Sequence, residues 1–186
     1  GDPTLDERAR PLLDRAREAR ARAASLGIET LAWNDPRYPE RLLTLTDCPP
    51  LLWCRGDLTA SDGPPVAIVG ARSASVAGVE IAERLGADLA ARGVTVVSGL
   101  ARGVDGAAHR GAVRTGRTVA VMASGADRIY PPEHAGLANE VAGRGALLSE
   151  YGPGTVPLPF RFPQRNRVIS GLADAVVVVE ASERSG

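Results

Sequence analysis

From residue 66 onward the chain carries five short apolar runs, at 66–69, 94–97, 118–122, 146–148 and 175–179, separated by longer segments of helical character. The runs do not alternate apolar with polar residues. A strand with one wet face must alternate, so uninterrupted runs predict strands buried on both faces. The intervening segments, 76–92, 105–114, 132–143 and 164–172, are long enough for crossover helices. Strand, helix, strand in succession predicts right-handed parallel crossovers. The expected fold class is therefore α/β, a doubly wound, mostly parallel sheet. Upstream, residues 1 to 27 are rich in alanine, arginine and acids, with Gly27 as a stop, and predict a helix with a thin apolar face. The prolines and aromatics of 28–60 suggest an ordered connector. SDGPP at 61–65 marks a boundary, giving an N-terminal helical segment with connector over 1–60 and the α/β domain over 61–186.

Function classes narrow next. No apolar run approaches the roughly 20 residues of a membrane helix, and the charged N-terminus does not resemble a secretory signal. A cytoplasmic location is expected. Cys48 and Cys54 have no second pair or nearby histidine that would suggest zinc, and two buried thiols are expected. The formal net charge is zero, which argues against a protein that coats nucleic acid by bulk positive charge. Every one of the 22 basic residues is an arginine, a side chain suited to bidentate phosphate contact and to stacking. Two stretches contain no acid: 66–79, with Arg72, and 151–172, with Arg161, Arg165 and Arg167. Brought together, they would make a positive groove on a neutral protein.

In an open parallel sheet, ligands bind beyond the carboxyl ends of the strands. There the sequence places Gly70, Ala71, Arg72 and Ser73 after the first run, and Ser98, Gly99 and Arg102 after the second. Ser124-Gly125 follows the third, Tyr151-Gly152 and later Arg165, Asn166 and Arg167 follow the fourth, and Ser185 and Gly186 follow the fifth. Glycine lets backbone N–H groups approach an anion, serine adds a hydroxyl, and a helix N-terminus adds partial positive charge. One such loop is weak evidence, whereas several on one edge point to a phosphate-bearing ligand. Phe160 and Phe162, in the acid-free segment, are candidates for stacking on a base.

Other chemistries fit less well. The loop GARSASVAG lacks the dinucleotide fingerprint, and no acid ends the second strand, so a nicotinamide cofactor is not expected. A P-loop is excluded because it requires lysine. Asp105 and His109 resemble an acid/base pair, but the expected role is structural: Asp105 capping a helix start, with His109 bonded back to it one turn later. Glu150 is expected to orient an arginine. No catalytic residue, metal site or cofactor is predicted.

Taken together, GAR at 70–72, SGLARGVDGAAH at 98–109, TVAVMASGADRIYPPEH at 118–134, LLSEYGPG at 147–154 and FPQRNRVISGLAD at 162–174 resemble the DNA-processing protein A (DprA/Smf) family. DPRYPERLL and PPLLWCRGDL upstream extend the resemblance over 33–186. It implies an extended Rossmann-like fold that binds single-stranded DNA without sequence preference, forms a homodimer and loads RecA recombinase during natural transformation, with no catalysis. Carried over by position, it places Gly70 and Arg72 in a phosphate-gripping loop, Ser98 and Gly99 in a second, and Asn166 with Arg167 in the groove lining. Ser185 and Gly186 would begin a further loop of a fold that continues beyond this sequence. Where many relatives have lysine this chain has Pro132 and Pro159, and Arg161 is expected to restore part of that charge. The alternative is a nucleotide phosphoribohydrolase-like enzyme acting on nucleoside monophosphates, although its Pro-Gly-Gly-x-Gly-Thr loop is absent.

Overall fold

The computed structural model describes residues 3–58 and 63–182. Helix α1 (Pro3–Ser25) ends as its sequence predicts: Gly27 adopts φ 65°, while the Gly27 and Ile28 amides donate to Ala24 O and Ala23 O. That is the Schellman arrangement, and it turns the chain so that Ile28 is buried beside Ala23.

The stretch expected as a connector supplies two strands. β1 (Glu29–Ala32) pairs antiparallel with β2 (Leu51–Gly56), and β2 pairs antiparallel with β6 (Ala146–Ser149). Pro36, Pro39 and the Pro49-Pro50 pair break up the periodicity there, so only pairing with β6 reveals the strands. Between them, the Tyr38 hydroxyl donates to Pro49 O at 2.6 Å. Cys54 is buried, but Cys48, expected to be buried, is partly exposed beside Tyr38.

The remaining elements follow the predicted alternation: β3 (Pro65–Val69), α2 (Val76–Ala90), β4 (Thr95–Ser98), α3 (Val104–Thr115), β5 (Thr118–Met122), α4 (Ala135–Arg144), β6, α5 (Arg161–Leu172) and β7 (Ala175–Val178). Two boundaries differ in ways that affect the site. A 3-10 turn at Pro132–His134 precedes α4, and α5 begins at Arg161, which puts Arg161 and Phe162 in its first turn.

The seven-stranded sheet has the order β1-β2-β6-β5-β4-β3-β7, with β6 through β7 mutually parallel. It is a Rossmann-like α/β sheet with an antiparallel extension. Successive residues of a strand face opposite sides. Ala67, Val97, Val119, Val121 and Leu148 pack under α5 and the segment around Tyr38 and Leu42. Ile68 and Val96 pack under α2 and α3, and Ala120, Met122 and Leu147 under α4 and the end of α1. β7 departs from the expectation of strands buried on both faces: among the described residues it is the outer strand, with Val176 and Val178 exposed. Among the described residues no helix is long and apolar enough to cross a membrane.

Candidate nucleic-acid interface

Strand order reverses direction between β3 and β7, so the switch-point crevice lies between the loop after Val69 and the residues after Val178. The chain fills that crevice itself. The Ala71 amide donates to Glu180 O at 2.7 Å, and the Ser75 amide reaches both carboxylate oxygens of Glu180 at 3.1 Å. The Ser75 hydroxyl donates to Glu180 Oε2 at 2.7 Å and accepts from the Gly78 amide at 3.0 Å. The N-terminus of α2, where a phosphate would gain most, therefore holds a carboxylate of the protein. Gly70 is required by this packing: a Cβ there would lie 2.7 Å from both Glu180 O and Val104 Cγ2. The expected phosphate-gripping loop is thus closed at Gly70 and Ala71, and only Arg72 and Ser73 extend into solvent from it.

The second loop is also turned inward, contrary to the role expected of Ser98 and Gly99. Ser98 is buried and its hydroxyl donates to Ile68 O at 2.6 Å. The Gly99 amide donates to Asp105 Oδ2 at 3.2 Å, and Gly99 O accepts from Arg165 Nη1 at 2.7 Å. Arg165 also donates to Val121 O and is only 3% exposed. It lies inside the protein, not at the surface, because it is on the side of α5 that faces the sheet. Burial raises the Asp105 carboxyl pKa, opposed by the Arg165 charge, and burial lowers that of Arg165, opposed by Asp105. Leu100 adopts φ 58°, and its carbonyl accepts from His134 Nδ1 at 2.9 Å. Arg102 is exposed but paired with Glu133 at 2.5 Å, a contact that holds the Glu133 carboxyl below its usual range.

Asp105 and His109 are not bonded to each other. Asp105 holds the Gly99 loop, while the Thr118 hydroxyl donates to Val96 O and so leaves its oxygen to accept from His109 Nδ1 at 2.7 Å. Burial depresses the His109 pKa to about 3, keeping the ring neutral.

The open part of the edge is built from arginines and aromatic rings. The Arg72 guanidinium lies 4.5 Å above the Phe162 centroid, and the Phe162 and Tyr130 rings are 5.7 Å apart, tilted by 60°. Arg161 lies 4.8 Å from the Tyr151 centroid and 5.6 Å from that of Phe160, which is 58% exposed. Arg161 also donates to Val156 O. Arg167 pairs with Glu150 at 2.6 Å and Asp47 at 2.5 Å, so Glu150 orients an arginine as expected, and the charge of Arg167 is compensated. Asn166 is half-buried on the same helix. Ser185 and Gly186 lie outside the described residues.

Tyr130 and Tyr151 were not among the predicted site residues, yet a compositional signal for them exists. The chain has three tyrosines and two phenylalanines. All but Tyr38 lie on this edge.

Residues 29–186 match the sequence model of the DNA recombination-mediator protein A family. The chain belongs to that family. It is 40% identical over 162 residues to DNA processing protein DprA of Bacillus subtilis, with 86% of this chain and 54% of the relative covered. It is 45% identical over 151 residues to protein Smf of Escherichia coli, with 80% and 40% covered. The chain thus spans about half or less of these relatives' length. Among solved structures, DNA processing protein A of Streptococcus pneumoniae superposes with TM-score 0.80 at 40% identity, covering 85% of this chain and 56% of that one. DNA processing protein A of Helicobacter pylori, whose structure concerns a single-stranded DNA binding mode, superposes with TM-score 0.77 at 33% identity, covering 85% and 71%.

Proposed function

We propose that this family member binds single-stranded DNA without sequence preference along the carboxyl edge of its sheet, and that it does so as a binding protein and not as an enzyme. The observation that carries the reading is the interleaving of cations and rings, with Arg72 on Phe162 beside Tyr130, and Arg161 between Tyr151 and Phe160. A stacking surface is available to an unpaired base but not to a base inside a duplex, and every base has a π face, so such a platform favours single strands of any sequence. Arginine on a ring holds its charge near the surface, where it meets the backbone phosphates. The single-stranded DNA binding of the Helicobacter relative supports the same reading.

By family membership the proposal extends to the cytoplasm, to protection of incoming DNA, to loading of RecA recombinase in natural transformation and to a homodimer. Of the predicted contacts, the exposed Arg72 and Ser73 and the half-exposed Arg161 are the ones the strand meets first. Arg102, Asn166 and Arg167 line the flanks.

Fluorescence anisotropy with labelled oligo-dT at several salt concentrations tests this. Salt-dependent binding is expected, and Arg72→Ala should weaken it and lower the slope of log K against log salt by about 0.7, one phosphate's share for a single strand. If the protein binds no strand but binds or cleaves a nucleoside monophosphate, the phosphoribohydrolase-like reading replaces it.

A further inference from the structure

Arg165 lies in the Arg-Asn-Arg segment that the sequence places among the strand contacts, yet its guanidinium is inside the protein. Its Nη1 binds two carbonyls from different elements, Gly99 O after β4 and Val121 O on β5. The clasp leaves no room at Gly99, where a Cβ would overlap the guanidinium. Asp105, also buried, holds the amide of the same glycine. Both polar groups of Gly99 are thus gripped by opposite charges, one on α3 and one on α5. An apolar pair would avoid the desolvation of two charges but would leave the Gly99 amide and the Gly99 and Val121 carbonyls without these partners. What the charged arrangement adds is geometry. Arg165 follows Arg161 and Phe162 by four and three residues, so it sits on the same side of α5 one turn further on. It ties the turn that carries the stacking ring to the ends of two strands.

We propose that Arg165 is a positioning residue: from beneath the groove it sets the Phe162 ring and the Gly99–Arg102 loop relative to each other, and it makes no contact with the strand. The inference rests on the strand-binding reading above. It differs from a direct contact in a measurable way. A lost phosphate contact weakens binding and also lowers the salt slope, whereas a displaced platform weakens binding through stacking alone.

The experiment compares wild type, Arg72→Ala, Arg165→Met and Gly99→Ala, each confirmed as folded by circular dichroism at the assay temperature. Affinity for oligo-dT is measured across a salt series, and 2-aminopurine placed within the oligonucleotide reports stacking at saturation. Gly99→Ala displaces the guanidinium without removing a charge, so it tests the clasp even if Arg165→Met fails to fold. Arg165→Met and Gly99→Ala should each lose about fivefold in affinity, the low end of one stacked base, with the wild-type salt slope and reduced 2-aminopurine quenching at saturation. A slope lowered as in Arg72→Ala, or affinity and quenching like wild type in a folded variant, overturns the inference. A wild-type protein that binds no strand overturns the strand-binding reading and this inference with it. Wild-type binding with either contrary variant result overturns only the positioning role.

Discussion

The two halves of the ligand edge contrast in how they use their polar groups. Around Gly70, Ser75, Ser98 and Gly99, polar groups are engaged by the protein itself: Ser75 and Ala71 donate to Glu180, Ser98 donates to Ile68 O, and Gly99 donates to Asp105 and accepts from Arg165. Around Phe160, Phe162, Tyr130 and Tyr151, guanidinium groups instead stack on rings at the surface, with Arg161 also donating to Val156 O and the Tyr151 hydroxyl to Gln164 Oε1. Small polar residues at strand ends are thus scaffold here, and the proposed function gives the recognising to the larger side chains. A phosphate loop and a carboxylate-filled loop need the same glycine and serine, since both must bring backbone amides close to an anion.

The sharpest way to break this contrast is to remove a ring. Phe162→Ala should weaken oligo-dT binding by about 10- to 100-fold, because both Arg72 and Tyr130 rest on that ring and one stacked base contributes ~1–3 kcal/mol. Anisotropy titration checks it, and an unchanged affinity would shift recognition back to the small-residue loops.

The closed half should instead report in stability. His109 is neutral when folded, with its pKa near 3 against 6.5 for the free side chain. The unfolded chain therefore takes up the proton first as pH falls, and stability is lost below about pH 6.5. Between pH 7 and pH 5 the loss is about 2 kcal/mol. Thermal melts at the two pH values should show it, and His109→Gln should remove most of the difference.

Ser75→Ala removes an N-cap that also holds Glu180. It should lower the unfolding free energy by about 1 kcal/mol in urea titrations while leaving strand affinity within about twofold of wild type. If affinity falls with stability intact, the first loop is a binding loop after all. The smallest effect is expected at Glu133→Gln, which frees Arg102 from an exposed ion pair. Strand affinity should rise by about twofold or less at low salt, and the gain should fade at high salt.

Much of the fold was legible in order and type. The apolar runs located β3 to β7, and the Gly27 stop marked the end of α1, because burial and helix termination are local demands on residue type. β1 and β2 were not legible. Their short apolar runs are interrupted by prolines and become strands only by pairing with β6. At the site, the acid-free segments contain Arg72 and Arg161, and the structure sets Arg72 over Phe162 and Arg161 beside Tyr151 and Phe160. Arg165 and Arg167 read alike in sequence. The structure buries one and pairs the other with Asp47 and Glu150, a difference that depends on which side of α5 each residue faces.

The sequence by itself determined the α/β class, the set of loops that share one edge of the sheet and the family, since apolar periodicity, loop composition and ordered motifs are properties of the chain alone. Only the tertiary structure decided which of those loops remain open. Glu180 is 105 residues from Ser75 and Arg165 is 66 from Gly99. Whether a donor faces a ligand or another part of the protein is settled by such distant partners, which local pattern does not encode.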